Sequence, residues 1–172
     1  QIFWGFNIVD FAPYLERNIE VTGLPDKVKI YGTWFHHHLL MPTGEELDTG
    51  IKNLKNWWEV KGEWLQEEDE NVILLGSLLA GKYNYKVGDS LEVKSKNGLK
   101  KLRIKGIFNS GGEDDAGIYT NLKTVQDLFG LEGKISFLEV SALTTPDNDL
   151  AKKAAQDPNS LTISEYETWY CT

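Results

Sequence analysis

The chain has 172 residues, 41% hydrophobic and 12% aromatic, enough for one sizeable core or two small lobes, so wholesale disorder is excluded. Against 26 acidic residues stand 18 basic ones, and the net charge of −8 is the wrong sign for a nucleic-acid binder, which needs a basic face to displace counterions. The single cysteine, Cys171, excludes an internal disulfide framework and a cysteine-rich zinc site, and no run approaches the ~18 apolar residues of a membrane helix.

In chain order, Ile8–Phe11 and Ile19–Thr22 read as short strands broken by Pro13 and by the turn Gly23-Leu24-Pro25-Asp26. Val28 and Ile30 alternate with Lys27 and Lys29, a half-buried strand pattern that continues through Phe35. Thr43–Gly50 reads as a polar connector. Ile51, Leu54 and Trp58 recur at helical spacing, after which Val60–Trp64 returns to extended structure. The acidic stretch Glu67–Glu70 reads as a solvated loop and Val72–Leu75 as a strand. Ser77 is placed to cap a helix through Tyr83, with Leu78, Leu79 and Ala80 on its apolar face.

Ser90–Lys94 alternates, Asn97-Gly98 signals a type I′ hairpin turn, and Leu102, Ile104 and Ile107 continue the partner strand. Together they predict an antiparallel ribbon near residues 90–108. Gly111–Asp115 follows as a loop. Leu122, Val125, Leu128 and Phe129 mark one face of a helix ended by Gly130. Ile135–Leu143 reads as a strand and Asp147–Gln156 as a helix begun after Pro146. Leu161–Ile163 extends again, and Ser164 and Glu167 have capping-box spacing. Strands and isolated helices without strict alternation define an α+β class.

Several motifs carry candidate chemistry. Gly76-Ser-Leu-Leu-Ala-Gly81-Lys82 approaches a phosphate loop, but Tyr83 stands where a magnesium-binding hydroxyl belongs, and the intervening residues are apolar helix formers. It reads as an amphipathic helix. On a strand, His36 and His38 would share one face, a spacing able to grip zinc with a third ligand, although no such ligand is marked. Glu113-Asp114-Asp115 lacks the alternating ligands of a calcium loop and reads as a solvated turn. With no Gly-x-Ser-x-Gly and no marked carboxylate dyad, no catalytic site, cofactor site or metal site is assigned. Trp57, Trp58 and Trp64 flank Val60-Lys61-Gly62; core packing is the default for such rings, and a partner-contact surface is the sharper alternative.

An ordered series of segments resembles the extracytoplasmic domain of MacB/FtsX-like ABC transporter permeases. It runs Trp57-Trp58-Glu-Val-Lys-Gly-Glu-Trp64, Leu74-Leu75-Gly76-Ser-Leu-Leu-Ala80, Val87-Gly88-Asp89-Ser-Leu91, Lys105-Gly106-Ile107-Phe108, Ser110-Gly111-Gly112-Glu-Asp-Asp115, Ile118-Tyr119 and Leu122–Leu131. The resemblance implies a soluble, non-catalytic domain lying between two membrane helices, on the periplasmic or extracellular side of a cell membrane protein. It implies two lobes: a membrane-proximal α+β lobe from residues 1–43 and 134–172, and an inserted mostly-β lobe from 44–133. The implied function is mechanical coupling of cytoplasmic ATP hydrolysis to export, extraction or signalling. The implied partners are an ABC ATPase subunit, a second permease copy in a dimer, and an extracytoplasmic adaptor or cargo, with no nucleic acid. A freestanding extracellular binding module for a peptide or glycan is the alternative.

Overall fold

A computed structural model describes residues 8–40, 44 and 46–142. Contacts divide the chain into two units, Gln1–Val9 with Ala142–Thr172, and Asp10–Ser141. The first lies almost wholly outside the described residues. The elements below belong to the second, apart from the outer ends of β1 and β10.

The strands are β1 (Ile8–Ile19), β2 (Val28–Thr33), β3 (His37–Leu40), β4 (Glu46–Thr49), β5 (Glu59–Gly62), β6 (Val72–Gly76), β7 (Ser90–Ser95), β8 (Gly98–Asn109), β9 (Ile118–Asn121) and β10 (Phe137–Ala142). Three short helices accompany them: α1 (Ile51–Leu54), α2 (Ser77–Tyr83) and α3 (Leu122–Phe129). Eight strands form one mixed sheet in the order β10-β1-β2-β9-β6-β8-β5, with β7 paired to β8, while β3 and β4 make a separate hairpin. The fold is therefore mixed α/β, with a large sheet and few helices.

The parallel pairs β2–β9 and β6–β8 run through the middle of this sheet. Parallel strands are characteristically covered on both faces, and all five residues of β6 are buried accordingly. Alternation along β6 divides its side chains between two cores. Ile73 and Leu75 join Leu15, Ile30, Ile104 and Ile118 beneath α2 and α3, through Leu79, Val125 and Leu128. Val72 and Leu74 join Tyr14, Phe108 and Tyr119 beneath Phe35, Ile51, Trp58 and Leu65.

Several sequence expectations are corrected. β1 is one strand that passes through Pro13, because pairing with β2 starts only at Tyr14↔Thr33 and no N–H is needed from the proline there. Ile19 ends β1, and beyond it Val21 makes an isolated bridge to Val93. The connector before Gly50 contains β4, which pairs with the histidine strand β3. α1 is a single turn that closes before Trp58. The readings at 147–156, 161–163, Ser164 and Glu167 lie outside the described residues.

Ser77 is the first residue of α2 rather than its cap; Gly76 holds that position. A Cβ at Gly76 would lie 2.2 Å from the Asp115 carbonyl oxygen, so main chain occupies the space a capping side chain would use. The 90–108 ribbon forms, with Ser95 opposite Gly98, but its turn is not type I′. Gly98 has φ 110° whereas Asn97 is not among the positive-φ residues. Lys96 and Asn97 span the gap, and Ser95 Oγ accepts from the Asn97 N–H at 3.2 Å and donates to the Gly98 carbonyl at 2.8 Å. The glycine is needed one position later than a type I′ turn would place it. Gly98→Val should then destabilise the domain by roughly 1–2 kcal/mol, the cost of forcing an L-residue to positive φ. The check is a lower urea midpoint at unchanged slope.

Candidate functional site

The three tryptophans of interest are set apart by their elements. Trp58, 5% exposed, follows the turn after α1 and packs inward. Its ring stacks on Phe108 at 4.2 Å, meets Tyr119 edge-on at 5.0 Å and lies 6.4 Å from Trp64. Trp64 is half-buried and packs edge-on to Phe35 at 6.3 Å. Trp57 points the other way, 58% exposed, with Lys55 Nζ 5.6 Å from its ring centre. Lys55 is itself held by Glu139 at 2.7 Å. Trp57 is thus the outward ring of the cluster, while Trp58 belongs to the core.

The histidines separate in the same way. His37 stacks on Trp34 at 4.0 Å and its Nδ1 lies 2.5 Å from Glu67 Oε1. His38 Nδ1 lies 2.8 Å from Asp48 Oδ1 on the neighbouring strand. This hydrogen bond raises the His38 pKa and lowers that of Asp48. His36 is exposed and precedes β3. The shared face expected of His36 and His38 therefore does not form a strand pair. Among the described residues, no three His, Cys, Asp or Glu side chains gather as metal ligands.

The acidic loop is built into the fold. Glu113–Ala116 forms a 3-10 turn, and Asp115, 4% exposed, accepts the N–H groups of Ser110 at 2.6 Å and Gly111 at 3.2 Å. Asp114 accepts the Tyr119 hydroxyl at 2.6 Å. Burial first, and then this carboxylate, push the Tyr119 phenol far above its ordinary pKa, so it stays a donor. The solvated-turn reading is corrected for Asp115, because a carboxylate that collects backbone donors can be buried.

Two further polar clamps carry no sequence signature. Asp10 Oδ1 accepts from Thr49 Oγ1 at 2.5 Å and from the Gly50 N–H at 3.0 Å, fixing the junction of β4 and α1. Asn121 Nδ2 donates to the Gln66, Glu67 and Asp69 carbonyls at 2.8, 3.3 and 2.9 Å, holding the acidic loop against the start of α3. Their partners lie 39 to 55 residues away in the chain, so local pattern cannot reveal them.

Lys105 completes the anchoring of that loop, 2.5 Å from Asp69. Burial acts to raise the Asp69 pKa, but the Gln66 N–H and Lys105 outweigh it and hold the carboxyl below its usual value. A depressed folded-state pKa contributes stability above the unfolded pKa, lost as pH falls through the folded one. Lys105→Met should therefore cost about 1 kcal/mol at neutral pH. The difference should shrink as pH falls below the ordinary aspartate value and on through the depressed folded-state pKa of Asp69. Thermal melts across that range provide the measurement.

These side chains act as loop anchors around a two-faced sheet, and Trp57 is the outward ring of the tryptophan cluster. The chain belongs to the MacB-like periplasmic core domain family, whose match covers residues 11–157. The family read from the segments between Trp57 and Leu131 is thereby established. Among curated proteins, the uncharacterized ABC transporter permease MJ1507 of Methanocaldococcus jannaschii is 34% identical over 86 residues, 47% of this chain and 21% of that protein. The matched stretch thus spans about a fifth of that relative. Among solved structures, the periplasmic region of MacB from Actinobacillus actinomycetemcomitans aligns with a TM-score of 0.55 and 13% identity, over 89% of this chain and 66% of that one. A likeness at that identity shows a shared fold.

Proposed function

We propose that the chain is the extracytoplasmic domain of an ABC transporter permease subunit, and that it relays movement generated by a cytoplasmic ATPase. The observation that carries this reading is the family match across residues 11–157, joined by a partial match to a permease. Work delivered through a domain reaches its far side only if the domain moves as a stiff body. The core faces of the sheet and the clamps at Asp10, Asp115 and Asn121, which tie loops to strands, suit that task. The domain itself carries out no covalent chemistry in this reading. Its partners are the ATPase, reached through the membrane part of the subunit, a second permease copy, and an adaptor or cargo. Trp57 is the contact residue proposed for the last of these, since an exposed ring next to a cation is a favoured anchor.

The location is tested in cells expressing the full natural protein with Cys171→Ser and Leu99→Cys, Leu99 being 64% exposed. A maleimide unable to cross the cytoplasmic membrane should label Cys at 99 in intact cells, with the protein retained in the membrane fraction. Labelling only after that membrane is opened, or recovery as a free soluble protein, would contradict the proposal.

A further inference from the structure

β5 ends the sheet, with β8 on its inner side and no strand on its outer side among the described residues. The Glu63 N–H donates to the Lys105 carbonyl at 3.2 Å, which fixes the alternation along this edge. Glu59 and Lys61, opposite Asn109 and Ile107, turn their backbone groups toward β8, so Val60 and Gly62 turn theirs outward. Glu59, Lys61 and Gly62 are exposed and Val60 is half-buried.

From this edge we infer a docking surface for a second copy of the same chain, formed by antiparallel pairing of β5 with β5 about a two-fold axis at Val60. The sequence Glu59-Val60-Lys61 is self-complementary in that register alone. Val60 faces Val60 and exchanges both backbone hydrogen bonds. Glu59 faces Lys61 of the second copy, and Lys61 faces its Glu59, in the non-hydrogen-bonded positions where opposed side chains come closest. A parallel alignment would set Glu59 against Glu59 and Lys61 against Lys61. An isolated lysine on an edge strand usually blocks association; here its counter-charge stands two residues away, where the symmetry places it opposite.

The pairing ends where Gly62, at φ 107°, turns the chain. A ribbon this short buries far less than the ~1,000 Å² of a stable interface, so it is weak between free molecules and strengthens where two copies are held together. The inference rests on the geometry of β5 and not on the permease reading. It is therefore tested on the 172-residue chain in solution, with no membrane partner present.

Sedimentation equilibrium up to roughly millimolar protein should show a reversible dimer that weakens as salt screens the charges. Lys61→Glu should lower the association constant about tenfold, and the swap Glu59→Lys with Lys61→Glu should restore it. In a Cys171→Ser background, Val60→Cys should be joined into a covalent dimer by a short thiol-to-thiol cross-linker, since antiparallel hydrogen-bonded pairs hold Cα atoms ~5.5 Å apart. Circular dichroism melts establish that each variant is folded. Should Val60→Cys not fold, the two charge variants, which alter exposed side chains only, decide the matter. A monomer throughout the concentration range, or association that Lys61→Glu leaves unchanged, overturns the inference.

Discussion

Trp58→Ala should destabilise the domain by about 3–5 kcal/mol, the range for deleting a large buried ring. The reason is geometric. Trp58 fills the space between β8 and the loop before β5, stacked on Phe108 and set edge-on to Tyr119, with Trp64 behind it. Collapse around the missing ring would require β8 or the Tyr119 side chain to move, and Tyr119 is held by Asp114. Its Nε1 has no hydrogen-bond partner among the described residues, so the loss is one of packing. Trp57→Ala, one residue earlier and exposed, should change stability by no more than ~0.5 kcal/mol. Urea titration of the two variants separates them. A small effect at Trp58, or a large one at Trp57, would show that the two rings had been assigned to the wrong sides.

Gly76→Val should cost roughly 3 kcal/mol, the upper end for overpacking, because the obstacle is main chain rather than a movable side chain. The Gly76 N–H donates to the Gly117 carbonyl at 2.9 Å, drawing the start of α2 against the 3-10 turn. A Cβ there would lie 2.2 Å from the Asp115 oxygen and 2.4 Å from its carbonyl carbon, so one segment must give way. The same turn carries the Asp115 clamp and the Asp114–Tyr119 bond, and its displacement would loosen both. Gly81 provides the control. It lies inside α2 with nothing within 4 Å of a Cβ, and Gly81→Ala should raise stability by about 0.4–1 kcal/mol. Opposite signs from Gly76, which caps the helix, and Gly81, which lies within it, would be read directly as a pair of melting temperatures.

What could be read from the sequence divides along physical lines. The ribbon around Asn97-Gly98, the buried strand β6 and the helices α2 and α3 all declare themselves, because each rests on patterns within a few residues. The turn type did not follow from the dipeptide: cross-strand register, rather than local preference, decides which residue takes positive φ. β4 was hidden because a four-residue strand rich in acidic and small residues looks like a connector until its partner β3 is known. The histidine triplet invited a metal reading because strand periodicity was extended to His36, which lies before the strand begins. Tryptophan spacing could not tell Trp57 from Trp58, since their difference is set by the turn after α1. The clamps at Asp10, Asp115 and Asn121 depend on folded neighbours and appear as ordinary polar residues in the chain.

If the chain relays movement as proposed, Asp10–Ser141 moves as one stiff body while the complete permease works. Pulsed electron–electron resonance on the full natural protein, with its ATPase, tests it most directly. One spin-label pair would sit at Leu99 and Leu40 within a copy, both largely exposed, and a single label at Leu99 would report between copies. Between nucleotide-free and ATP-trapped states, the distance within a copy should stay the same while the distance between copies changes. A shift within the copy, or no shift between copies, would contradict the account.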